Sequence, residues 1–184
     1  SPDIICIGSF LWDVIGRANN HKRVGSDVPG RITRLPGGVA LNIAMTLKQF
    51  GMSPTALSAI GKDVEGEELL SEIRRMGIQC DHVYRSEDLP TDVYMAIEGA
   101  NGLIAAIADA HSLEAAGDKI LKPLRDGALP IASKPVALDG NLTAELLQTI
   151  AEDPFFQDVD IRVAPASPGK ANRLQTFMGH SSAT

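Results

Sequence analysis

Aromatic residues and basic residues are scarce in this sequence. Aromatic side chains make up 4% of its 184 residues, too few for the stacking platforms on which many proteins bind unpaired bases. Acidic residues outnumber basic ones, 23 to 17, which argues against the clustered positive charge of a nucleic-acid surface. The most apolar stretch is interrupted by Glu98, well short of a membrane span. We therefore expect no nucleic-acid partner and no membrane partner.

Cysteine and histidine are also sparse and scattered. The two cysteines, Cys6 and Cys80, are typical of reduced thiols in a cytoplasmic protein rather than of a disulfide framework. The four histidines lack the spacing of a zinc site, so we predict no metal site. No signal peptide opens the sequence, and the first residue is Ser1 rather than Met. We expect a processed start and a cytoplasmic location.

Apolar strands and helices alternate along the chain, which favours a parallel α/β fold. With 44% hydrophobic and 22% charged residues, the chain suits one medium domain or a domain with a small appendage. The continuous apolar run from Asp3 to Ile7 is typical of a buried parallel strand. The patterns predict further strands at 56–60, 83–85, 136–138 and 161–164, and helices at about 39–50, 64–76, 113–124 and 142–151.

Two other segments predict a separate small sheet. Residues 14–18 and 31–35 alternate polar and apolar side chains on either side of a polar loop. Val93–Ile97 and Leu103–Ile107 flank Asn101-Gly102, a strong hairpin signal. Together they predict a four-stranded β lid, at about 14–36 and 91–107, over the mouth of the parallel sheet. Past residue 166 the pattern ends, and we expect residues 167–184 to form an irregular tail.

A glycine turn, Pro36-Gly37-Gly38, stands directly before a predicted helix that carries Asn42 in its first turn. Residues without side chains let a ligand approach the backbone and the free N–H groups of that turn. Asp13 follows the first strand, and ligands bind at the carboxyl ends of the strands of open α/β sheets. By themselves, the glycines are better explained as a tight turn that caps a helix, and Asp13 is equally well explained as a turn-stabilising residue.

The order of these motifs resembles the N-terminal part of the ribokinase (PfkB) family of sugar and nucleoside kinases, and within it the pseudouridine kinases. The likeness is carried by Gly8-Ser9 with Asp13, by Pro36 to Asn42, by Ala59 to Asp63 with Gly66, by Met76 to Ile78, and by Thr91. The resemblance to the pseudouridine kinases is carried by residues 29–32, by Ala108-Asp109 and by Leu138 to Asn141. It implies a ribokinase-like parallel sheet flanked by helices over residues 1–166, with a small β lid.

The resemblance also implies roles for individual residues, which we group as a substrate-binding set. Asp13 would hold sugar hydroxyls through charge-assisted hydrogen bonds, and Leu11 stands where the family often has Asn, so one hydroxyl contact is lost. Tyr94 would cover the substrate from the lid. The predicted substrate-binding residues are Asp13, Gly37, Gly38, Asn42, Tyr94, Asp109, Asp139 and Asn141.

The family's catalytic base and anion hole come from a Gly-Ala-Gly-Asp motif near the C-terminus of its members. Ala115 to Asp118 imitates that motif but stands in the wrong part of the order, so we do not assign Asp118 as the base. We expect the base beyond residue 184, and the chain to be a fragment without the ATP-binding part. The intact protein would use ATP and Mg²⁺, and this chain by itself would not turn over.

Three functions remain open from the sequence. The first is transfer of the ATP γ-phosphate to a sugar hydroxyl, with the 5′-hydroxyl of pseudouridine as the best acceptor. The second is a non-catalytic sugar- or nucleoside-binding module, and the third is a kinase of a free sugar or sugar phosphate. A phosphate on the substrate would need Arg or Lys at the pocket mouth, where Arg17, Arg31 and Arg34 are candidates. Because open sheet edges seek partners, we also expect a homodimer through the lid.

Overall fold

The computed structural model describes residues 2–19, 25, 27–131 and 134–165. The strands are β1 (Ile4–Ile7), β2 (Leu11–Arg17), β3 (Arg31–Gly37), β4 (Pro54–Leu57), β5 (Ala59–Gly61), β6 (Tyr84–Ser86), β7 (Val93–Gly99), β8 (Gly102–Asp109), β9 (Val136–Asp139) and β10 (Ile161–Ala164). The helices are α1 (Val39–Gln49), α2 (Val64–Arg75), α3 (His111–Ala116), α4 (Lys122–Arg125) and α5 (Ala144–Glu152), with 3₁₀ turns at Gly117–Leu121 and Pro154–Phe156.

The main sheet is parallel throughout, with strand order β10-β9-β1-β4. All four residues of β1 are buried, because helices cover both faces of the sheet. Ile4 and Cys6 pack into one apolar cluster with α1 and α2. Ile5 and Ile7 point the other way, into a second cluster with α3 and α5. The predicted parallel α/β sheet flanked by helices is confirmed.

The second sheet is the lid, with strand order β3-β2-β7-β8. Strand β2 pairs antiparallel with β3 and parallel with β7, and β7 pairs antiparallel with β8. Both predicted strand pairs therefore join into one four-stranded layer. Most of β3 and β8 is exposed, which separates this layer from the main core.

The single strand predicted at 56–60 is wrong, because this stretch is divided between two strands, β4 and β5. Strand β4 pairs with β1 at the edge of the main sheet, whereas β5 pairs with β6 in a separate two-stranded sheet. Ser58 lies between them, and its carbonyl accepts a hydrogen bond from the N–H of Tyr84 at 2.9 Å. A continuous apolar run cannot reveal such a change of sheet, because both halves are equally buried.

The predicted helix at 113–124 is interrupted. Helix α3 ends at Ala116, and Gly117 adopts a φ of +54°, a conformation that glycine adopts easily. A 3₁₀ turn then leads into α4. By contrast, the start of α2 is as predicted, since the Asp63 carboxylate accepts a hydrogen bond from the N–H of Gly66 at 2.8 Å.

Part of the predicted layout lies outside the described residues. This holds for the expected tail at 167–184 and for residues 20–24 and 26 of the loop between β2 and β3.

Candidate functional site

A cavity of about 380 Å³ lies between the lid and the carboxyl ends of β1 and β9. Residues from the lid, α1, α3, α5 and the strand ends line it together. Ligands of open α/β sheets bind at such strand ends. Six of the eight predicted substrate-binding residues line this cavity, namely Asp13, Gly38, Asn42, Tyr94, Asp139 and Asn141.

Asp13 reaches the cavity from the lid. In the sheet register it stands opposite Leu35 of β3 and Tyr94 of β7, and Tyr94 stands opposite Ala108 of β8. Side chains of one such row share a face, so this row turns towards the cavity. Burial raises the pKa of the Asp13 carboxyl above its usual value. An acceptor so placed gains from hydrogen bonds that a hydroxyl-rich ligand would donate.

The glycine turn leaves room for this carboxylate. Gly37 does not line the cavity itself, but a Cβ on it would overlap the Asp13 carboxylate. Gly38 has a φ of +101°, and a Cβ there would overlap the carbonyl of Ser9. Both positions therefore need glycine, Gly37 because the Asp13 side chain occupies the space of a Cβ and Gly38 because of its backbone conformation.

Asn42 lies in the first turn of α1, where its N–H donates to the carbonyl of Gly38 at 2.9 Å. Its side chain is exposed and lines the cavity. An amide offers both a donor and an acceptor to a hydroxyl group. Asp13 and Asn42 thus share one cavity, as the sequence hypothesis requires.

Asp139 ends β9 and is 1% exposed. Its Oδ2 accepts hydrogen bonds from the N–H and the hydroxyl of Ser9, at 3.0 and 2.8 Å, and its Oδ1 accepts one from the N–H of Asn141 at 2.8 Å. A Cβ on Gly8 would overlap the Asp139 side chain. The carboxylate joins the ends of β1 and β9, and its predicted contact with a substrate stays a prediction.

Ser9 was missed by the sequence reasoning. Helix α1 has Gly38 at its N-cap, which has no side chain to cap it, and the Ser9 hydroxyl accepts the N–H of Val39 instead at 2.9 Å. The N–H of Leu41 donates to the Ser9 carbonyl at 3.3 Å. The only signal in the sequence is a serine directly after the glycine that ends the first strand.

The second group that sequence reasoning missed is an apolar wall. Four leucines line the cavity: Leu11 of β2, Leu113 of α3, Leu142 just before α5 and Leu146 of α5. Their helical spacing is typical of core residues, and nothing in it distinguishes a core face from a pocket face. Glu114 and Thr143 add polar atoms to this wall.

Asp109 is not brought into the cavity, although Ala108 and Ala110 beside it line the wall. Its carboxylate lies 2.7 Å from Nδ1 of His111. This contact lowers the pKa of Asp109 and raises that of His111. Asp118, which we did not assign as the base, pairs with Arg125 at 2.9 Å.

Metal and membrane features are absent within residues 2–19, 25, 27–131 and 134–165. No group of three or more His, Cys, Asp or Glu side chains there could hold a metal ion. No helix in this part is long and apolar enough to cross a bilayer. Cys6 and Cys80 are buried and free.

Comparison with known proteins assigns the family. The model of the pfkB family carbohydrate kinases matches residues 1–182. The sugar kinase YeiI of Escherichia coli is 33% identical over 96% of this chain and 48% of its own length. The pseudouridine kinase of Escherichia coli is 28% identical over 94% of this chain and 54% of its own length. The chain thus spans about half the length of these curated relatives.

A solved structure agrees with this assignment. A carbohydrate kinase from Agrobacterium tumefaciens superposes with a TM-score of 0.82 and is 25% identical, covering 98% of this chain and 59% of its own. The predicted ribokinase-like fold is confirmed by this similarity. With the glycine turn, the lid and the cavity in place, the chain belongs to the pfkB family of carbohydrate kinases.

Proposed function

We propose that this chain forms the acceptor-binding part of a kinase that transfers the γ-phosphate of ATP to the 5′-hydroxyl of pseudouridine. The observation that carries the proposal is one cavity that holds Asp13, the glycine turn and Asn42 opposite an apolar wall. Similarity to a pseudouridine kinase supports the acceptor class. We also place the kinase in the cytoplasm, in keeping with its free cysteines.

Each side of the cavity suits one half of a nucleoside. The carboxylate of Asp13 accepts hydrogen bonds from ribose hydroxyls, and Asn42 accepts or donates another. Gly38 lets the sugar lie against the backbone. The planar base lies against Leu113, Leu142 and Leu146, where apolar contact is favourable.

The apolar wall favours a nucleoside over the other acceptors considered. A free sugar has only small C–H patches to place against these leucines, whereas a nucleobase offers a whole planar ring. A sugar phosphate needs a cation, and no Lys or Arg is among the described residues that line the cavity. None of the three candidates, Arg17, Arg31 and Arg34, lines the cavity. Arg17 also pairs with Glu98, and Arg34 pairs with Glu68 and lies over the Trp12 ring.

Kinases of this family use ATP with a divalent metal ion, which neutralises charge on the transferred phosphoryl group. The described residues do not supply a group of ligands for that ion. We assign none of them to the binding of ATP. Phosphoryl transfer also needs an acceptor for the hydroxyl proton. We assign no described residue to that role and expect no turnover by this chain alone.

Ligand binding to the chain as it stands tests the proposal. We expect pseudouridine, and not ribose or ribose 5-phosphate, to raise the melting temperature, because a ligand of the native state stabilises it. In Asp13→Ala the affinity should fall about 5- to 150-fold, equivalent to about 1–3 kcal/mol for unpaired hydroxyls. Asp88→Ala, an exposed carboxylate away from the cavity, is the matched control and should bind normally.

Two results would contradict the proposal. If pseudouridine does not bind at millimolar concentration, the nucleoside acceptor is wrong. If Asp13→Ala binds as tightly as the wild type, the role of this carboxylate is wrong, and with it the placement of the sugar.

A further inference from the structure

The apolar wall of the cavity carries a carboxylate that the proposed function does not use. Glu114 lies in the first turn of α3, directly after Leu113, and its side chain lines the cavity. Leu113 is buried, whereas Glu114 is exposed. A polar group beside an apolar wall is the kind of group that fixes the orientation of a bound ligand.

Glu114 has no hydrogen-bond donor of the protein against its carboxylate. Within the part of the chain that the structure describes, its side chain makes no hydrogen bond and no ion pair. His111, which senses the charge of Glu114, forms its ion pair with Asp109 instead, at 2.7 Å. No Lys or Arg is among the described residues that line the cavity. Apart from water, a donor to this carboxylate must therefore come from the ligand.

The neighbouring polar groups are engaged in the fold or assigned to the sugar. The Thr143 hydroxyl accepts the N–H of Leu146 at 3.2 Å and so caps α5. Both oxygens of the Asp139 carboxylate accept hydrogen bonds from the protein. Asp13 is the carboxylate that we assign to the ribose. Glu114 is therefore the carboxylate available to the part of the ligand that lies on the apolar wall.

The base of pseudouridine offers the donors that a carboxylate needs. Its ring carries N1–H and N3–H, one on each side of the C2 carbonyl, because the sugar is attached at C5. In uridine N1 carries the sugar, and N3–H alone remains. An ionised carboxylate accepts hydrogen bonds and donates none, so Glu114 suits an N–H edge of the base and not a carbonyl edge.

We propose that Glu114 is a specificity-determining residue, whose carboxylate accepts a hydrogen bond from a ring N–H of the base while the ring lies on the apolar wall. This inference rests on the proposed function, because it takes the ribose to lie at Asp13. Asp13 and Asn42 hold the sugar, whereas Glu114 recognises the base.

This arrangement also penalises the wrong ligand. A planar ring on the apolar wall removes water from the Glu114 carboxylate, which costs free energy unless the ring returns a hydrogen bond. A site of this kind rejects a ring of the same shape that lacks the donor, because its own polar group is left unpaired.

A comparison of two ligands tests the role of Glu114. The first is pseudouridine, and the second is the phenyl C-riboside, in which a benzene ring replaces the base on the same ribose. In titration calorimetry Glu114→Ala should bind pseudouridine about tenfold more weakly than the wild type, because a charge-assisted hydrogen bond is lost. The same variant should bind the phenyl riboside at least as tightly as the wild type, because no desolvated carboxylate opposes it.

Glu145→Ala is the matched control. Glu145 is also an exposed glutamate in the first turn of a helix, α5, but it does not line the cavity. This variant should bind both ligands as the wild type does. Glu114→Gln, whose amide oxygen still accepts an N–H, should keep part of the affinity for pseudouridine.

Three results would overturn the assignment of Glu114. They are a Glu114→Ala variant that binds pseudouridine as tightly as the wild type, an equal loss for both ligands, as a merely structural role would produce, and no binding of the phenyl riboside to this variant. Failure of the proposed function has a different signature, since the wild type then binds no pseudouridine. If Asp13→Ala weakens pseudouridine binding and Glu114→Ala does not, the proposed function stands and only the role of Glu114 is wrong.

Discussion

At the scale of single residues, the site depends on a glycine. Asp13 can turn towards the cavity only because Gly37, on the neighbouring lid strand, has no Cβ to overlap its carboxylate. The glycine turn was readable from the sequence as a place where a ligand could approach the backbone. The main effect of the turn is that Gly37 leaves space for the Asp13 carboxylate. The position of Gly37 relative to Asp13 is set by the register between β2 and β3.

Gly37→Ala should therefore weaken ligand binding more than it destabilises the fold. The added methyl group overlaps the end of the Asp13 side chain, which can rotate away and leave the sugar without its acceptor. We expect at least about tenfold weaker pseudouridine binding, equivalent to about 1.4 kcal/mol, measured by titration calorimetry. The control is Gly16→Ala in the same sheet, where the nearest atom would lie at 3.9 Å. Equal affinities of the two variants would refute this account of Gly37.

At the scale of secondary-structure elements, the start of α1 is held by another element. Its own N-cap, Gly38, offers no side chain, and Ser9 at the end of β1 accepts the N–H of Val39 while donating to Asp139. Helix caps were predictable where the capping residue precedes the helix, as with Asp63. A cap from a residue about thirty positions earlier has no local pattern.

Ser9→Ala should destabilise the fold by about 1–2 kcal/mol, since the cap and one partner of a buried carboxylate are lost together. Urea unfolding, with the midpoint and slope compared to the wild type, measures this change. Ser71→Ala, at an exposed position of α2, serves as the matched control and should be neutral or slightly stabilising. A loss in Ser9→Ala no greater than in the control would show that the cap is energetically unimportant.

At the scale of the whole molecule, the lid presents an apolar outer face. In the sheet register Met95 stands opposite Val14 and Ile107, and Gly16 stands between Ile32 and Ile97. These rows alternate with the row of Asp13 and Tyr94, so they face away from the cavity. Ile32, Met95, Ile97 and Ile107 are 79%, 47%, 37% and 69% exposed. Contiguous apolar surface of this kind marks an interaction site.

We propose that a second copy of the chain covers this face. Met95→Lys and Ile107→Lys should then shift sedimentation towards the monomer, because each would bury an unpaired charge in the interface. Phe50→Lys changes an exposed apolar residue outside the lid, at the end of α1, and should leave the oligomeric state unchanged. A wild-type chain that sediments only as a monomer at micromolar concentration would exclude the dimer.

What the sequence determined by itself is local. The alternation of strands and helices, the hairpin at Asn101-Gly102 and the glycine turn before α1 were all readable, because periodicity and turn chemistry act over a few residues. The family motifs then placed Asp13 and Asn42 in one site. The break at Ser58 and the interruption at Gly117 were not readable, since buried runs look alike whichever sheet or helix they join.

Only the tertiary structure decided which distant side chains meet. The strand order β10-β9-β1-β4 brings Asp139 beside Ser9, and the return of the hairpin brings α3 onto Asp92. The same packing turns Leu113 and Leu146 from ordinary core positions into a pocket wall. Such contacts depend on how complete elements pack together, and the free energy of that packing is not encoded in any short stretch of the chain.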